Sequence, residues 1–178
     1  AGGEVHRLSL EDGDDRVIAE RPGCGLGEVT VSSDRKWAVT LVKKGGSAGL
    51  LVCRTDGSAS EVILDGVRAL YHPQFHPGDP ERLIYSADPP DPRLWTVRRD
   101  GGDDRCFYAN SPDEWFVHET FLGQTDRVIV VSWHRGLYEV GLYTGQVREI
   151  SAFSAWHISS NSDGSQIVCD THLPDIGL

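Results

Sequence analysis

The chain has 178 residues, with 27 Asp and Glu against 17 Lys and Arg, which gives a formal net charge of −10. This acidic balance argues against binding to nucleic acid or to an anionic membrane, because both need clustered Lys and Arg. No apolar run approaches the roughly 20 residues that cross a bilayer, and an apolar content of 39% predicts a soluble, folded chain.

Four strand–turn–strand units recur along the chain, each with a glycine in its turn. These glycines stand 44 residues apart, at Gly13, Gly57, Gly101 and Gly145. Asp-Gly or Thr-Gly at such a turn is typical of a tight β-hairpin, where glycine accepts a positive φ without steric penalty.

A second kind of strand pair lies between these hairpins, and its turn is polar and contains an acid. The pairs begin near Glu28, Tyr71, Phe116 and Trp156, with turn acids Asp34, Asp79, Asp126 and Asp163. No segment shows a sustained 3.6-residue apolar period, so no substantial helix is predicted.

Four strands in each 44 residues, repeated in tandem, are typical of β-propeller blades. A β-sandwich of short strands is the alternative, but the constant spacing favours the propeller. The predicted fold is therefore all-β, with about four consecutive blades of a larger ring. Blades are predicted near 1–27, 28–70, 71–115 and 116–155, with a last blade begun at 156–178. The lack of methionine predicts that the chain was processed, trimmed or cut from something longer, with the other blades in the same full-length protein or another chain.

The four cysteines are far apart and form no C-x-x-C pair, which argues against a zinc or redox motif. Cys53 and Cys169 lie in apolar runs and are predicted to be core residues. Unpaired cysteines and the absence of a signal-peptide pattern predict a cytoplasmic location.

Histidines mark the innermost strands, which line the channel of a propeller. The first residues of these strands are Glu28, His72, His118 and His157, so three histidines are expected at one level of three consecutive blades. The alternative is that each imidazole only satisfies a backbone group at the end of its blade, and the pattern leaves both interpretations open.

The other histidines are weaker candidates. His6 is predicted to be exposed in a strand, and His76 to face solvent in a turn. His134 and His172 follow the second strands of their blades and could reach the mouth of the channel.

Arg93 follows the proline-rich loop 89–92, which would hold it in place at low entropic cost. That arrangement suits an arginine that binds an anion. The alternative is that Arg93 packs over Trp95.

Five motifs have a distinctive order and spacing. They are Tyr71-His72-Pro73, Pro77-Gly78-Asp79, Arg93-Leu94-Trp95, Val117-His118-Glu119 and the segment from His157 to Gly164. Together they resemble the oligogalacturonate lyase family, whose members are seven-bladed propellers that cleave pectin-derived oligogalacturonates by β-elimination with a bound manganese ion. The resemblance covers nearly the whole chain but only the middle of the family's ring.

The resemblance implies a lyase for an acidic oligosaccharide and a role for each matched residue. His118 matches the proton-abstracting base, Arg93 an arginine that meets the substrate carboxylate, and His157 a metal ligand, with His72 expected to contact substrate. A neutral imidazole is a suitable base near neutral pH, and a cation on the carboxylate stabilises the charge that develops beside it. Glu119 is expected to point to the opposite face of its strand and is left out of the site.

Two departures from the family keep alternatives open. The segment from Tyr85 to Pro92 lacks the histidine that the family has before its arginine, so a related uronate-containing glycan is an alternative substrate. The family's other metal ligands, a Gln and two His, have no counterpart before Leu178, and one His cannot hold manganese alone. A non-catalytic propeller that binds a ligand or a partner enzyme is the alternative function.

Overall fold

The computed structural model describes residues 2–170, which contain sixteen β-strands and no helix. In chain order the strands are β1 Glu4–Leu8, β2 Asp15–Glu20, β3 Gly25–Val31, β4 Trp37–Lys44, β5 Ser47–Arg54, β6 Ser60–Ile63, β7 Leu70–Phe75, β8 Arg82–Ala87, β9 Leu94–Arg98, β10 Arg105–Tyr108, β11 Phe116–Phe121, β12 Arg127–Ser132, β13 Gly136–Gly141, β14 Val147–Ser151, β15 Ile158–Ser160 and β16 Ile167–Cys169. Within residues 2–170 there is no helix long and apolar enough to cross a membrane.

The strands form five antiparallel sheets in which each strand pairs with its neighbour in sequence. Three sheets are complete and four-stranded (β3–β6, β7–β10 and β11–β14), and the pairs β1–β2 and β15–β16 flank them. Glycine hairpins join the third and fourth strands of the complete sheets, so β1–β2 correspond to an outer half-blade and β15–β16 to an inner one. The all-β propeller prediction of about four blades is confirmed. β3 begins at Gly25 and β7 at Leu70, slightly before the blade starts predicted near 28 and 71.

The middle sheets are apolar on both faces because each packs between two others. In β4, Val39 and Leu41 face the β7–β10 sheet, whereas Ala38 and Val42 face the β1–β2 pair. This two-residue alternation is a strand property, and it produces the near-continuous apolar runs seen in the sequence. Four such apolar clusters fill the spaces between consecutive sheets.

The turns and cysteines test two local predictions. The four hairpin glycines all have positive φ, between 64° and 82°, which confirms the tight turns. Cys53 is fully buried as predicted, but the prediction for Cys169 is wrong because its side chain is exposed. Cys169 lies in β16, which pairs only with β15 within residues 2–170 and has an uncovered face there.

Hydrogen bonds tie the innermost strands of neighbouring sheets side by side. The Thr30 hydroxyl of β3 donates to the Pro73 carbonyl of β7 at 3.1 Å. The Gln74 amide of β7 donates to the Glu119 carbonyl of β11 at 2.7 Å, and the Ser160 hydroxyl of β15 donates to the Phe121 carbonyl at 3.1 Å. The residues at the beginning of these strands are thereby brought to one end of the channel.

Candidate functional site

The same β-bulge recurs near the start of three innermost strands. The pairing register shifts between Leu26 and Val29 in β3, between Tyr71 and Gln74 in β7, and between Val117 and Thr120 in β11. The bulges therefore contain Gly27-Glu28, His72-Pro73 and His118-Glu119, so Gly27, and not Glu28, is the structural equivalent of the two histidines. A bulge re-aims a side chain, and the two imidazoles point into a shared cavity.

Both bulge histidines have left-handed backbone conformations. The φ angle is 47° at His72 and 53° at His118. Residues other than glycine seldom adopt this conformation, and such strain is concentrated at functional sites.

A cavity of about 290 Å³ lies at the ends of β3, β7, β11 and β15. His118 lines it, with its ring centroid 6.3 Å from that of His72 and 4.7 Å from that of His157. Glu28 also lines this cavity. The structure therefore brings together the three histidines that the sequence singled out, while their chemical roles stay predictions.

Glu119 is part of this site, and the expectation that it lies outside is wrong. Its side chain is 1% exposed and accepts hydrogen bonds from His72 Nδ1 at 3.1 Å and from Arg93 Nε at 3.2 Å. The bulge adds a residue to the strand, so the simple alternation of faces fails here. Burial alone would raise the pKa of Glu119, but the hydrogen bond from His72 and the charge of Arg93 more than offset it and lower the pKa to about 2.

The pKa values of the two bulge histidines shift in opposite directions. The hydrogen bond to Glu119 raises the pKa of His72 above its ordinary value, against the effect of burial. Burial lowers the pKa of His118, and the nearby His157 and His72 lower it further. Near neutral pH His118 is therefore a neutral imidazole that can accept a proton.

Arg93 is held beside this cavity by two carboxylates. Its side chain is 13% exposed, and its Nε donates to Glu119 while its Nη1 donates to Asp88 at 2.9 Å. The third nitrogen, Nη2, has no hydrogen-bond partner among residues 2–170. Arg93 does not pack over Trp95: the guanidinium over that indole belongs to Arg68, 3.7 Å from the ring centroid. Arg93 lines a neighbouring cavity of about 630 Å³, and its contact with Glu119 joins it to the histidine cavity.

His157 is oriented by a carboxylate. Its Nδ1 lies 2.8 Å from Asp170 Oδ2, and its backbone amide donates to Asp170 Oδ1 at 2.7 Å. A metal-bound histidine is commonly oriented in this way, with its other nitrogen left for the ion. Nevertheless, residues 2–170 contain no group of three His, Cys, Asp or Glu side chains placed to hold a metal. The described residues therefore do not make a complete metal site.

His76 is structural, and the prediction that it faces solvent is wrong. It is buried, with Nε2 2.8 Å from Asp126 Oδ1, while its Nδ1 accepts the Gly78 amide proton at 3.0 Å. The ring of Phe121 in the next sheet covers it, with centroids 4.9 Å apart. The turn is hydrophilic in sequence, but packing against the neighbouring blade buries its histidine.

The remaining histidines lie away from the cavity. His6 is exposed as predicted and bonds Asp15 at 2.8 Å. His134 is exposed and lies against Trp133, with ring centroids 4.1 Å apart. His172 is outside the described residues.

Two flanking features were missed from the sequence. One is an aromatic row in which Trp156 contacts His118, Trp133 contacts Trp156, and the exposed Trp115 contacts Trp133, with ring centroids 4.5, 4.5 and 6.2 Å apart. The spacing of these tryptophans follows no single strand, so no sequence signal predicted the row.

The other missed feature is a pair of lysines, Lys43 and Lys44, on the β4–β5 hairpin. They line a cavity of about 440 Å³ together with Arg68 and Tyr71. Neither forms an ion pair with an acid of residues 2–170, and the Lys43 ammonium lies 4.6 Å from the Tyr71 ring centroid. A pair of adjacent lysines in a chain with only three was the available signal.

Solved structures of known proteins share this architecture. An oligogalacturonate lyase in complex with manganese superimposes with a TM-score of 0.84 and 21% identity over 96% of this chain and 54% of that one. An oligogalacturonate lyase from Vibrio parahaemolyticus gives a TM-score of 0.81 and 21% identity over 94% of this chain and 52% of that one. The predicted resemblance to these lyases is confirmed in the fold, and the chain spans about half of their length.

Other propeller proteins are also similar. TolB from Acinetobacter baumannii superimposes with a TM-score of 0.72 and 14% identity over 97% of this chain and 43% of that one. No protein-family model and no curated protein sequence matches the chain. At these identities the similarity shows the fold alone.

Proposed function

We propose that the protein is a lyase that cleaves uronate-containing oligosaccharides, such as pectin-derived oligogalacturonates, by β-elimination. The observation that carries this proposal is the neutral imidazole of His118 in a cavity that it lines together with histidines from the two neighbouring blades. The shared fold with oligogalacturonate lyases supports it.

The proposed reaction starts with removal of the proton at C5, next to the uronate carboxylate. His118 accepts this proton on a ring nitrogen, the C–H electron pair forms the C4–C5 double bond, and the C4–O bond breaks. The leaving oxygen takes a proton from solvent. General-base catalysis of this kind needs a base whose pKa lies near the working pH.

Cations around the base would stabilise the negative charge that develops on the substrate. His72 stays protonated more readily through its bond to Glu119, and Arg93, which donates to the same carboxylate, adds positive charge beside the histidine cavity. Lys43 and Lys44 add positive charge on the far side of Tyr71. Placed donors of this kind commonly supply the largest part of the rate enhancement.

The proposed cofactor is a divalent metal, Mn²⁺, with His157 as one ligand oriented by Asp170. The manganese complex of the similar lyase supports this proposal. The described residues do not by themselves form the site, so the scheme above contains no metal step. The other ligands would come from further propeller blades, in the same protein or in another chain.

The test is an elimination assay on the intact protein with oligogalacturonate and Mn²⁺. The unsaturated uronate product should raise the ultraviolet absorbance, and His118→Ala should lower the rate by at least about 100-fold. His134→Ala is the matched control, because that exposed imidazole should be replaceable with less than about a twofold effect.

Two results would contradict the proposal. If no uronate substrate is cleaved but oligosaccharides bind, the protein is a non-catalytic binding propeller. A His118→Ala variant that retains the wild-type rate would show that His118 is not the base.

A further inference from the structure

The cavity beside Arg93 has walls suited to a ligand. It measures about 630 Å³ and lies between the segment 87–93, which contains the proline-rich loop, and the start of β11. Trp115 forms one wall and is 61% exposed although its blade packs between two neighbouring sheets. Exposed indole faces and rigid prolines provide flat apolar surface at low entropic cost.

The charges of this cavity disfavour a carboxylate. Asp88, Asp91 and Glu114 line it, and its one cation, Arg93, is already bonded to Asp88 and Glu119. A further carboxylate would meet like charges that a single shared guanidinium does not neutralise.

A third cavity, of about 440 Å³ beside Tyr71, has the opposite character. Lys43 and Lys44 line it without an acidic partner within residues 2–170, and Arg68, which also lines it, is paired with Asp104. The lysine cavity therefore attracts uronates, whereas the cavity at Trp115 does not.

An ion pair connects the cavity at Trp115 with the histidine cavity. Arg93 lines the larger cavity, and its Nε lies 3.2 Å from Glu119, which lines the histidine cavity. The aromatic row that begins at Trp115 also ends against His118. An oligosaccharide long enough to reach from Trp115 to His118 would occupy both cavities.

We propose that the cavity at Trp115 is a subsite for a neutral sugar residue. The apolar C–H face of the sugar lies on the indole, and its hydroxyl groups donate to the carboxylates of Asp88, Asp91 and Glu114. The substrate is then a heteroglycan in which the reacting uronate is joined to a neutral sugar. The location of the reacting uronate rests on the proposed function, whereas the neutral-sugar subsite can be tested without turnover.

Binding is measured calorimetrically in a His118→Ala background, so that no substrate is consumed. An oligosaccharide that alternates uronate and neutral sugars should bind about tenfold more tightly than a pure oligogalacturonate of equal length. Trp115→Ala should remove this preference and leave the affinity for oligogalacturonate unchanged, while Trp115→Phe should retain most of it. Because Trp115 is exposed, its substitution should leave the fold intact, which a thermal melt would verify.

The matched control changes the cavity lined by the two lysines. Lys43→Ala combined with Lys44→Ala should weaken binding of oligogalacturonate several-fold and leave that of a neutral oligosaccharide unchanged. Equal affinity for the mixed and pure oligosaccharides, or a preference that survives Trp115→Ala, would overturn the subsite. Failure of the elimination assay together with the expected binding pattern would instead overturn only the lyase proposal.

Discussion

Replacing Glu119 by Gln keeps the size of the side chain and removes its charge. Because this carboxylate is 1% exposed, water cannot take over its two bonds to His72 and Arg93. Arg93 would keep Asp88 as its remaining acidic partner, and His72 would lose its only carboxylate within hydrogen-bond reach among residues 2–170. The substitution should therefore lower the free energy of unfolding substantially.

The decrease in the free energy of unfolding can be calculated from the pKa of Glu119. Its fall from 4.5 to about 2 in the folded protein corresponds to about 3 kcal/mol of stability at neutral pH. Removing one partner of a buried ion pair costs a similar amount, about 3–5 kcal/mol. For a chain of this length, about 3 kcal/mol lowers Tm by roughly 6–12 °C.

The pH dependence has a defined sign because the folded pKa is the lower one. The contribution of Glu119 is fully present above pH 4.5 and is lost as the pH falls towards about 2. Urea unfolding followed by circular dichroism should show a large difference between wild type and Glu119→Gln at pH 7. That difference should shrink steadily below pH 4.5.

Glu139→Gln is the matched control. Glu139 also bonds two arginines, Arg127 at 3.2 Å and Arg148 at 2.8 Å, but both arginines lie at the surface, more than 40% exposed. Glu139 is itself buried, but because water reaches both of its arginine partners this variant should lose only about 1 kcal/mol. A Glu119→Gln variant no less stable than Glu139→Gln at pH 7 would refute the reasoning.

The remaining predictions concern His72 and two turn glycines. The pKa of His72 measured by NMR should lie above 6.5, so its contribution to stability is present below pH 6.5 and is lost as the pH rises past its folded pKa. In Glu119→Gln the pKa of His72 should fall, and an unchanged pKa would contradict the hydrogen bond. Gly123→Ala should cost about 3 kcal/mol or more in urea unfolding, because at φ 57° its Cβ would collide with the Gly164 backbone nitrogen. Gly13→Ala, at φ 75° in open space, should cost only about 1–2 kcal/mol, and equal losses would show that the collision is relieved.

Local patterns in the sequence were enough to predict the repeated architecture. Hairpin glycines every 44 residues and apolar strands of period two depend on turn and strand geometry, which neighbouring residues determine. The order of the strands within each repeat placed His72, His118 and His157 at one level of consecutive blades, although they stand 46 and 39 residues apart. The histidine cavity could therefore be predicted before any contact between blades was known.

Only the tertiary structure decided how the site is charged. The bulge at His118 turns Glu119 inwards, and its partners His72 and Arg93 come from a different blade, 47 and 26 residues away. Likewise, Trp115, Trp133 and Trp156 meet only because two blades pack together. Alternation along one strand cannot anticipate an inserted residue, and pairs between blades depend on how the sheets stack, so neither feature could be read from sequence spacing.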